Sequence, residues 1–244
     1  MVSEKEWVYE VEIEVEDLNE NKILKPYAYQ RLIAKVAEEH LKRLNMDVDT
    51  IMKYNLSWVL ISLSIEIVRP VEGCDRLYAT TWYSKRKGLY FRREMVFSNE
   101  MGEVFKASSF SILLDIENRS IFREKEPPFT VNEPIEEFVL EASPNFKYTG
   151  DYKKTDVRRV FNSFIDCNGH VNNCRYGEFA YDVFNDDERR KLKDLKRMDI
   201  YFHSELMLND RFSVLKAYDN NKLLIRGFNE NKGVNSFDIV LEFK

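Results

Sequence analysis

The run Asp166-Cys167-Asn168-Gly169-His170-Val171-Asn172-Asn173-Cys174-Arg175-Tyr176 gathers a carboxylate, carboxamides, thiols and an imidazole on one short stretch. Asp and Asn side chains bond nearby backbone N–H groups and favour loops and helix N-caps, while Gly169 permits backbone angles closed to other residues. Val171, Tyr176, Phe179, Ala180, Val183 and Phe184 follow at helical spacing, so the sequence predicts a helix over 170–184, extended to Lys191. The first turn of such a helix presents unpaired N–H groups and the positive end of its dipole beside an imidazole whose ordinary pKa is about 6.5. That combination suits polarising a carbonyl; it also suits nothing more than a well-capped helix with a surface histidine. Cys167 reads as a nucleophile only if the helix start is electropositive enough to hold a thiolate.

The elements that must position this stretch occur twice. Residues 7–16 alternate, with Trp7, Tyr9, Val11, Ile13 and Val15 opposite Glu10, Glu12, Glu14 and Glu16, which predicts a half-exposed strand. Pro26 suits a first helical turn, and Tyr29, Leu32, Ile33, Val36, Ala37, His40, Leu41 and Leu44 continue a helical stripe in which His40 reads as a core residue. Strand-like runs follow at 56–68, 77–83, 89–97 and 104–116, with a short one at 121–122. Residues 124–154 carry four of the six prolines, Pro127, Pro128, Pro134 and Pro144, and read as a linker laid along the surface by Phe129, Phe138 and Phe146. A strand at 157–161, the helix, and strands at 198–207, 212–218, 223–229 and 235–243 then repeat the order, with turns at Asp219-Asn220-Asn221 and Asn231-Lys232-Gly233. The repeat predicts two copies of one α+β unit, 1–123 and 155–244, joined by the linker 124–154.

Composition narrows the class. The 244 residues are 44% hydrophobic and 32% charged, and no apolar run approaches the ~18 residues of a membrane span. The first residues lack the basic-then-apolar order of a signal peptide, which points to a cytoplasmic protein. Cys74, Cys167 and Cys174 are an odd number without metal-type spacing, and the only histidines are His40, His170 and His203, so reduced thiols and no metal or cofactor are expected. A net charge of -5 gives no general attraction to nucleic acid.

The pattern Asp166-x-Asn168-x-His170-Val171-Asn172-Asn173-x-x-Tyr176 resembles the second-domain signature of the acyl-acyl carrier protein thioesterases, and residues 201–210 resemble their second catalytic segment. Trp58-Val59-Leu60, Thr81-Trp82 and Arg92-Arg93 are similar to their first-domain landmarks. The resemblance implies two fused hot-dog domains, each a curved antiparallel sheet around a long helix, and hydrolysis of the thioester that holds a fatty acid on its carrier. It marks Asp166, Asn168, His170 and Glu205 as the catalytic group, with Trp58 and Asn173 as substrate-binding candidates. Some family members carry a cysteine just after the glutamate; this chain has Leu206, which cannot attack a thioester.

The remaining route is direct attack by water. Glu205 would act as general base while Asn168 and His170 position the thioester and stabilise the oxyanion or departing thiolate. Asp166 would orient its neighbours and the helix-start N–H groups would assist the oxyanion; Glu205 and His170 are interchangeable as base. On an ideal strand Glu205 shares a face with Tyr201 and His203, which fits a solvated side chain as well as a catalytic one reached through a bulge or cavity. The first half, with Glu20-Asn21-Lys22-Ile23-Leu24-Lys25-Pro26 before its helix, lacks the motif and is expected to supply the acyl pocket. The implied partner is an acidic acyl carrier protein with its phosphopantetheine arm, met by Lys85-Arg86-Lys87, Arg158-Arg159, or Arg189-Arg190-Lys191 with Lys193, Lys196 and Arg197. A homodimer stays open. The alternatives are an acyl-CoA thioesterase and a non-catalytic acyl-thioester-binding protein.

Overall fold

The computed structural model describes residues 5, 7–73, 76–124 and 126–244. Alternation makes the first strand, β1 (Val8–Glu12), bury Tyr9 and Val11 and expose Val8, Glu10 and Glu12. The strand expected over 7–16 stops there, because Glu14 and Asp17 cap each other across a 3-10 turn at Val15–Asp17. Helix α1 (Pro26–Arg43) starts on its proline, buries Tyr29, Leu32, Ile33, Val36 and His40, and ends where Asn45 turns left-handed at φ 55°. Full burial of each aliphatic side chain on that stripe contributes about 1.5–3 kcal/mol. A short α2 (Val48–Met52), capped by Asp47, leads into β2 (Leu56–Ile67), β3 (Arg76–Lys87), β4 (Tyr90–Asn99), β5 (Gly102–Asp115) and the two-residue β6 (Ser120–Ile121).

The second half holds β7 (Lys153–Arg159), α3 (Asn173–Tyr181), α4 (Asp186–Lys191), β8 (Leu195–Phe202), β9 (Arg211–Asp219), β10 (Lys222–Asn229) and β11 (Val234–Phe243). All the strands form one antiparallel sheet in the order β1-β3-β4-β5-β2-β8-β11-β10-β9-β7, with β6 beside β5. From the centre outward, β2-β5-β4-β3-β1 on one side matches β8-β11-β10-β9-β7 on the other, so the repeated order of elements is also a repeated topology. The halves meet along β2 and β8, paired from Ser62 opposite Tyr201 to Glu66 opposite Arg197.

The two long helices pack together against the sheet, and one hydrophobic cluster runs through both halves. Gly177 allows their approach: a Cβ on it would lie 3.0 Å from the Tyr27 Cα and 2.2 Å from the Gln30 Oε1. The single helix expected over 170–191 is instead two. Asn172 caps α3 by accepting the Cys174 N–H, and Asn185 forms a reciprocal cap with Glu188 at the start of α4, so the chain between is turn. His40 is fully buried, as its place in the apolar stripe predicts, and its Nδ1 meets the guanidinium of Arg93, which also donates to the Tyr83 hydroxyl at 2.7 Å.

The stretch read as a linker crosses the outer face of the sheet as a strap. Trp82 Nε1 donates to the Glu137 carbonyl (3.2 Å), Arg92 to that of Leu140 (2.7 Å), Arg197 to that of Glu141 (2.7 Å) and Ser62 to that of Ser143 (3.1 Å). Phe129 packs on Trp58, the Arg92 guanidinium lies over Phe138, and Phe146 stacks on Tyr201 at 5.1 Å. The strap therefore spans the β2–β8 seam and fastens to both sides of it.

Candidate active site

Just before α3 the chain doubles back on itself. The Asp166 N–H donates to the His170 carbonyl (3.0 Å), the Gly169 N–H to the Asp166 carbonyl (3.0 Å) and the Asn172 N–H to the Phe164 carbonyl (2.9 Å). Gly169 sits at φ 82°, where a side chain would be strained. The Asp166 carboxylate accepts the Asn168 N–H at 2.9 Å, which holds Asn168 exposed at the turn with a carboxamide that bonds to no described residue. His170 is partly buried. Its Nδ1 lies 3.2 Å from the Val171 carbonyl and 3.8 Å from the Asp166 carboxylate. A carbonyl only accepts, so Nδ1 carries the hydrogen in that contact and the neutral ring keeps its lone pair on Nε2.

Glu205 reaches the same place from the far side of β8. The expected strand over 198–207 ends at Phe202, so Glu205 lies in a loop and the alternation argument does not govern it. The loop's backbone is anchored: His203 and Ser204 N–H groups donate to the Ser236 carbonyl (2.8 and 3.2 Å), and the Leu206 N–H to the Tyr176 hydroxyl (3.2 Å). The Val171 N–H donates to the Leu206 carbonyl (2.9 Å) and Lys232 Nζ to that of Glu205 (2.8 Å). Glu205's carboxylate is itself 59% exposed, with Oε1 3.9 Å from His170 Nε2. Two acceptors facing each other at that separation suit a shared donor, such as the O–H of a water molecule. The solvated and the catalytic readings of Glu205 thus meet in one geometry, a fixed backbone with an accessible carboxylate.

Asp166, Asn168, His170 and Glu205 are therefore brought together, and Asn173, the first residue of α3, lies beside them with its carbonyl accepting from Gln30 at 3.3 Å. Trp58 is elsewhere. Its indole donates to the Met46 carbonyl (3.2 Å) within a separate apolar cluster with Tyr83, Phe91 and Phe129. From Gln30 to Met46 the chain follows α1 for roughly 20 Å at about 1.5 Å per residue, so Trp58 cannot touch the reacting centre. The helix begins three residues after His170, and the amides of Asn168, Gly169, Val171, Asn172, Cys174 and Arg175 donate to partners within the protein, so that among the described residues the N–H groups of His170 and Asn173 are the ones left over at this helix start.

Two residues were missed by sequence reasoning as supports of the site. Tyr176 holds the Leu206 amide; burial pushes its hydroxyl up to about 12 against the pull of that amide, with Glu205, Asp166 and Asp210 adding to the rise. Its place in the quoted motif was the available signal. Lys232, in a hairpin turn, gave none. His203 does not join the pair: its Nε2 lies 2.9 Å from Asp238 Oδ2, and Asp238 is buried and held by Arg226 at 2.8 and 3.2 Å. Cys167 is exposed and Cys174 has its thiol pushed up to about 11, by burial first and then by Glu178; both are free, and Cys74 lies outside the described residues.

No helix among the described residues is long and apolar enough to cross a membrane. No curated protein sequence matches the chain. Among solved structures it is similar to an acyl-ACP thioesterase from Bacteroides thetaiotaomicron, at 19% identity and a TM-score of 0.83 over 100% of both chains. A 12:0-ACP thioesterase from Umbellularia californica is similar at 13% identity and a TM-score of 0.78 over 97% of both. These likenesses identify the fold as two fused hot-dog units. Residues 4–126 match the model of the acyl-ACP thioesterase N-terminal domain and residues 149–240 that of the C-terminal domain. With both domain models spanning most of its length in order, the chain belongs to the acyl-ACP thioesterases and is a thioester hydrolase.

Proposed function

We propose that this thioesterase releases free fatty acid from acyl carrier protein by direct attack of a water molecule held between Glu205 and His170. The observation that carries this reading is the 3.9 Å separation of Glu205 Oε1 and His170 Nε2, with Nδ1 committed to the Val171 carbonyl. Water oxygen bonds to the thioester carbonyl carbon while its proton passes to Glu205. The carbon–sulfur bond then breaks, and the departing pantetheine sulfur takes the proton that Glu205 received, directly or relayed through His170 Nε2. Asn168 offers its carboxamide N–H to the oxyanion. A well-placed donor of this kind removes about 2.7–4 kcal/mol of barrier. Asp166 orients the turn, through the Asn168 amide and beside His170 Nδ1. The units 1–123 and 155–244 divide the work, the first holding the acyl tail toward Trp58 and the second the chemistry.

Single-turnover hydrolysis of an acyl-carrier substrate tests the assignment. Glu205→Ala and His170→Ala are each expected to lose about 100-fold or more, and the double variant to fall little below the worse single, because the two act on one proton transfer. Unchanged rates in both single variants would remove the pair from the mechanism. Mass spectrometry of the acids released from a mixed acyl-carrier pool by Trp58→Ala reads out the acyl end: a product profile identical to wild type would exclude Trp58 from the pocket.

A further inference from the structure

The loop that carries Glu205 also presents an apolar patch to solvent. Met207 and Leu208 are 40% and 44% exposed, and Phe161 on the neighbouring segment is 57% exposed. The segments are knit together, since the Val160 N–H donates to the Asp210 carbonyl (2.9 Å), the Asn209 N–H to the Val160 carbonyl (3.2 Å) and Arg159 to the Asn209 carboxamide (2.6 Å). Met207 follows Glu205 by two residues, so their Cα atoms lie within about 7.6 Å. Exposed large side chains grouped at the mouth of a site mark a docking surface more often than single ones scattered elsewhere.

The charge around this patch is positive in a chain whose net charge is -5. Lys154, Arg159, Arg211 and Lys232 rim it against Glu230 and Asp210; Glu230 pairs with both Lys154 and Arg211, and Lys232 stands 4.0 Å from Asp210. Arg159 has no carboxylate partner among the described residues, its bond being to a neutral amide. Arg159 belongs to one of the clusters picked from sequence, and most other members of those clusters differ from it. Lys85 pairs with Glu136, Arg189 with Asp186 and Glu20, Arg190 with Asp187, Lys196 with Glu242, Arg197 with Asp199, and Arg158 with Asp156 and Asp182. Those cations are already answered from within the protein, whereas Lys87, Lys191 and Lys193 have no carboxylate partner among the described residues.

We infer that the patch of Phe161, Met207 and Leu208 with its Arg159–Arg211 rim is where the acyl carrier protein docks, an acidic helical surface laying its carboxylates on the rim and an apolar side chain on Phe161. The inference rests on the proposed hydrolysis of acyl-carrier thioesters, and extends it from the reacting atoms to the macromolecule that delivers them. Rim charges of this kind act chiefly on association and lose their effect in salt, whereas the apolar contact does not.

The test compares kcat/KM for one acyl group on holo-carrier protein and on N-acetylcysteamine, at low and high salt. Arg159→Glu with Arg211→Glu is expected to lower kcat/KM on the carrier by about 10- to 100-fold at low salt, with the loss shrinking in salt and the small thioester changed less than two-fold. Phe161→Ser is expected to lower the carrier value in both salts. Lys85→Glu and Arg189→Glu are expected to match wild type. Equal losses on both substrates, no loss on the carrier, or losses confined to Lys85→Glu or Arg189→Glu would each overturn the docking site. Failure of the wild-type protein to hydrolyse either thioester would instead overturn the reading beneath it.

Discussion

Replacing Gly227 with alanine should damage the active site from the opposite side of a core ring. Gly227 on β10 pairs with Phe237 on β11, and a Cβ there would lie 2.0 Å from the ring's Cε1 and 2.4 Å from its Cδ1. Carbon atoms rest about 3.5–4.0 Å apart, so the ring must retreat by roughly 1.5 Å. It has nowhere free to go: Phe237 is fully buried and its ring centre is 5.0 Å from that of Tyr176. Overpacking a core costs about 1–3 kcal/mol, and an overlap this deep belongs at the upper end. At about 2–4 °C per kcal/mol for a chain of this size, ~3 kcal/mol lowers Tm by about 6–12 °C. Because the Tyr176 hydroxyl holds the amide next to Glu205, kcat should also fall at temperatures where the variant stays folded. Urea unfolding and thioester hydrolysis on the same preparation measure both effects. Adding Phe237→Leu should restore part of the stability by shortening the displaced side chain. A Tm for Gly227→Ala within 2 °C of wild type (the order of ~0.5–1 kcal/mol), or a double variant no more stable than the single, would refute the argument.

Two further outcomes follow from named groups. Maleimide at pH 8 should label Cys167 readily and Cys174 hardly at all, since a thiol near 11 is only about 0.1% thiolate there, and Cys167→Ser should keep full hydrolysis; rapid labelling of Cys174 in the folded protein, or loss of activity in Cys167→Ser, would contradict this. Burial pushes the Glu94 carboxyl above its ordinary 4.5 although Arg92 pulls it down. A raised carboxyl pKa means the folded chain keeps a proton that the unfolded chain releases, so its contribution is complete below pH 4.5 and is lost as pH rises through the raised value. The unfolding free energy of Glu94→Gln minus that of wild type should therefore shift in the variant's favour as pH climbs above 4.5, and a pH-independent difference would count against it.

Much of this molecule was legible because its signals are local. The alternation of β1, the stripe of α1 and the order of elements in each half follow from side-chain spacing alone, and Asp166 through His170 lie close enough in the chain for one turn to gather them. Glu205 was harder. Its loop leaves the strand early because its amide hydrogens bond to Ser236 and to a tyrosine on another helix, partners that no run of consecutive residues announces. The helix start was misplaced for a related reason: Asp166 and Asn168 read as caps, and only the folded turn shows that Asn172, two residues past His170, is the one that caps α3. A row of arginines in sequence does not disclose the carboxylates folded against it, so which members of the basic clusters are paired, as Arg158 is, and which are not among the described residues, as Arg159 is not, could be read only from the fold.

Joining two half-sheets through β2 and β8 leaves β1 and β7 as the outermost strands of the main path, each paired on a single side among the described residues. A bare strand edge is a template on which other chains add and aggregate. Here both are short, five and seven residues, and strongly charged with opposite sign: Glu10 and Glu12 on one, Lys153, Lys154, Arg158 and Arg159 on the other. Two copies meeting through the same edge would set a row of like charges against itself, so fusion hides the inner edges while charge opposes β1–β1 and β7–β7 growth between molecules.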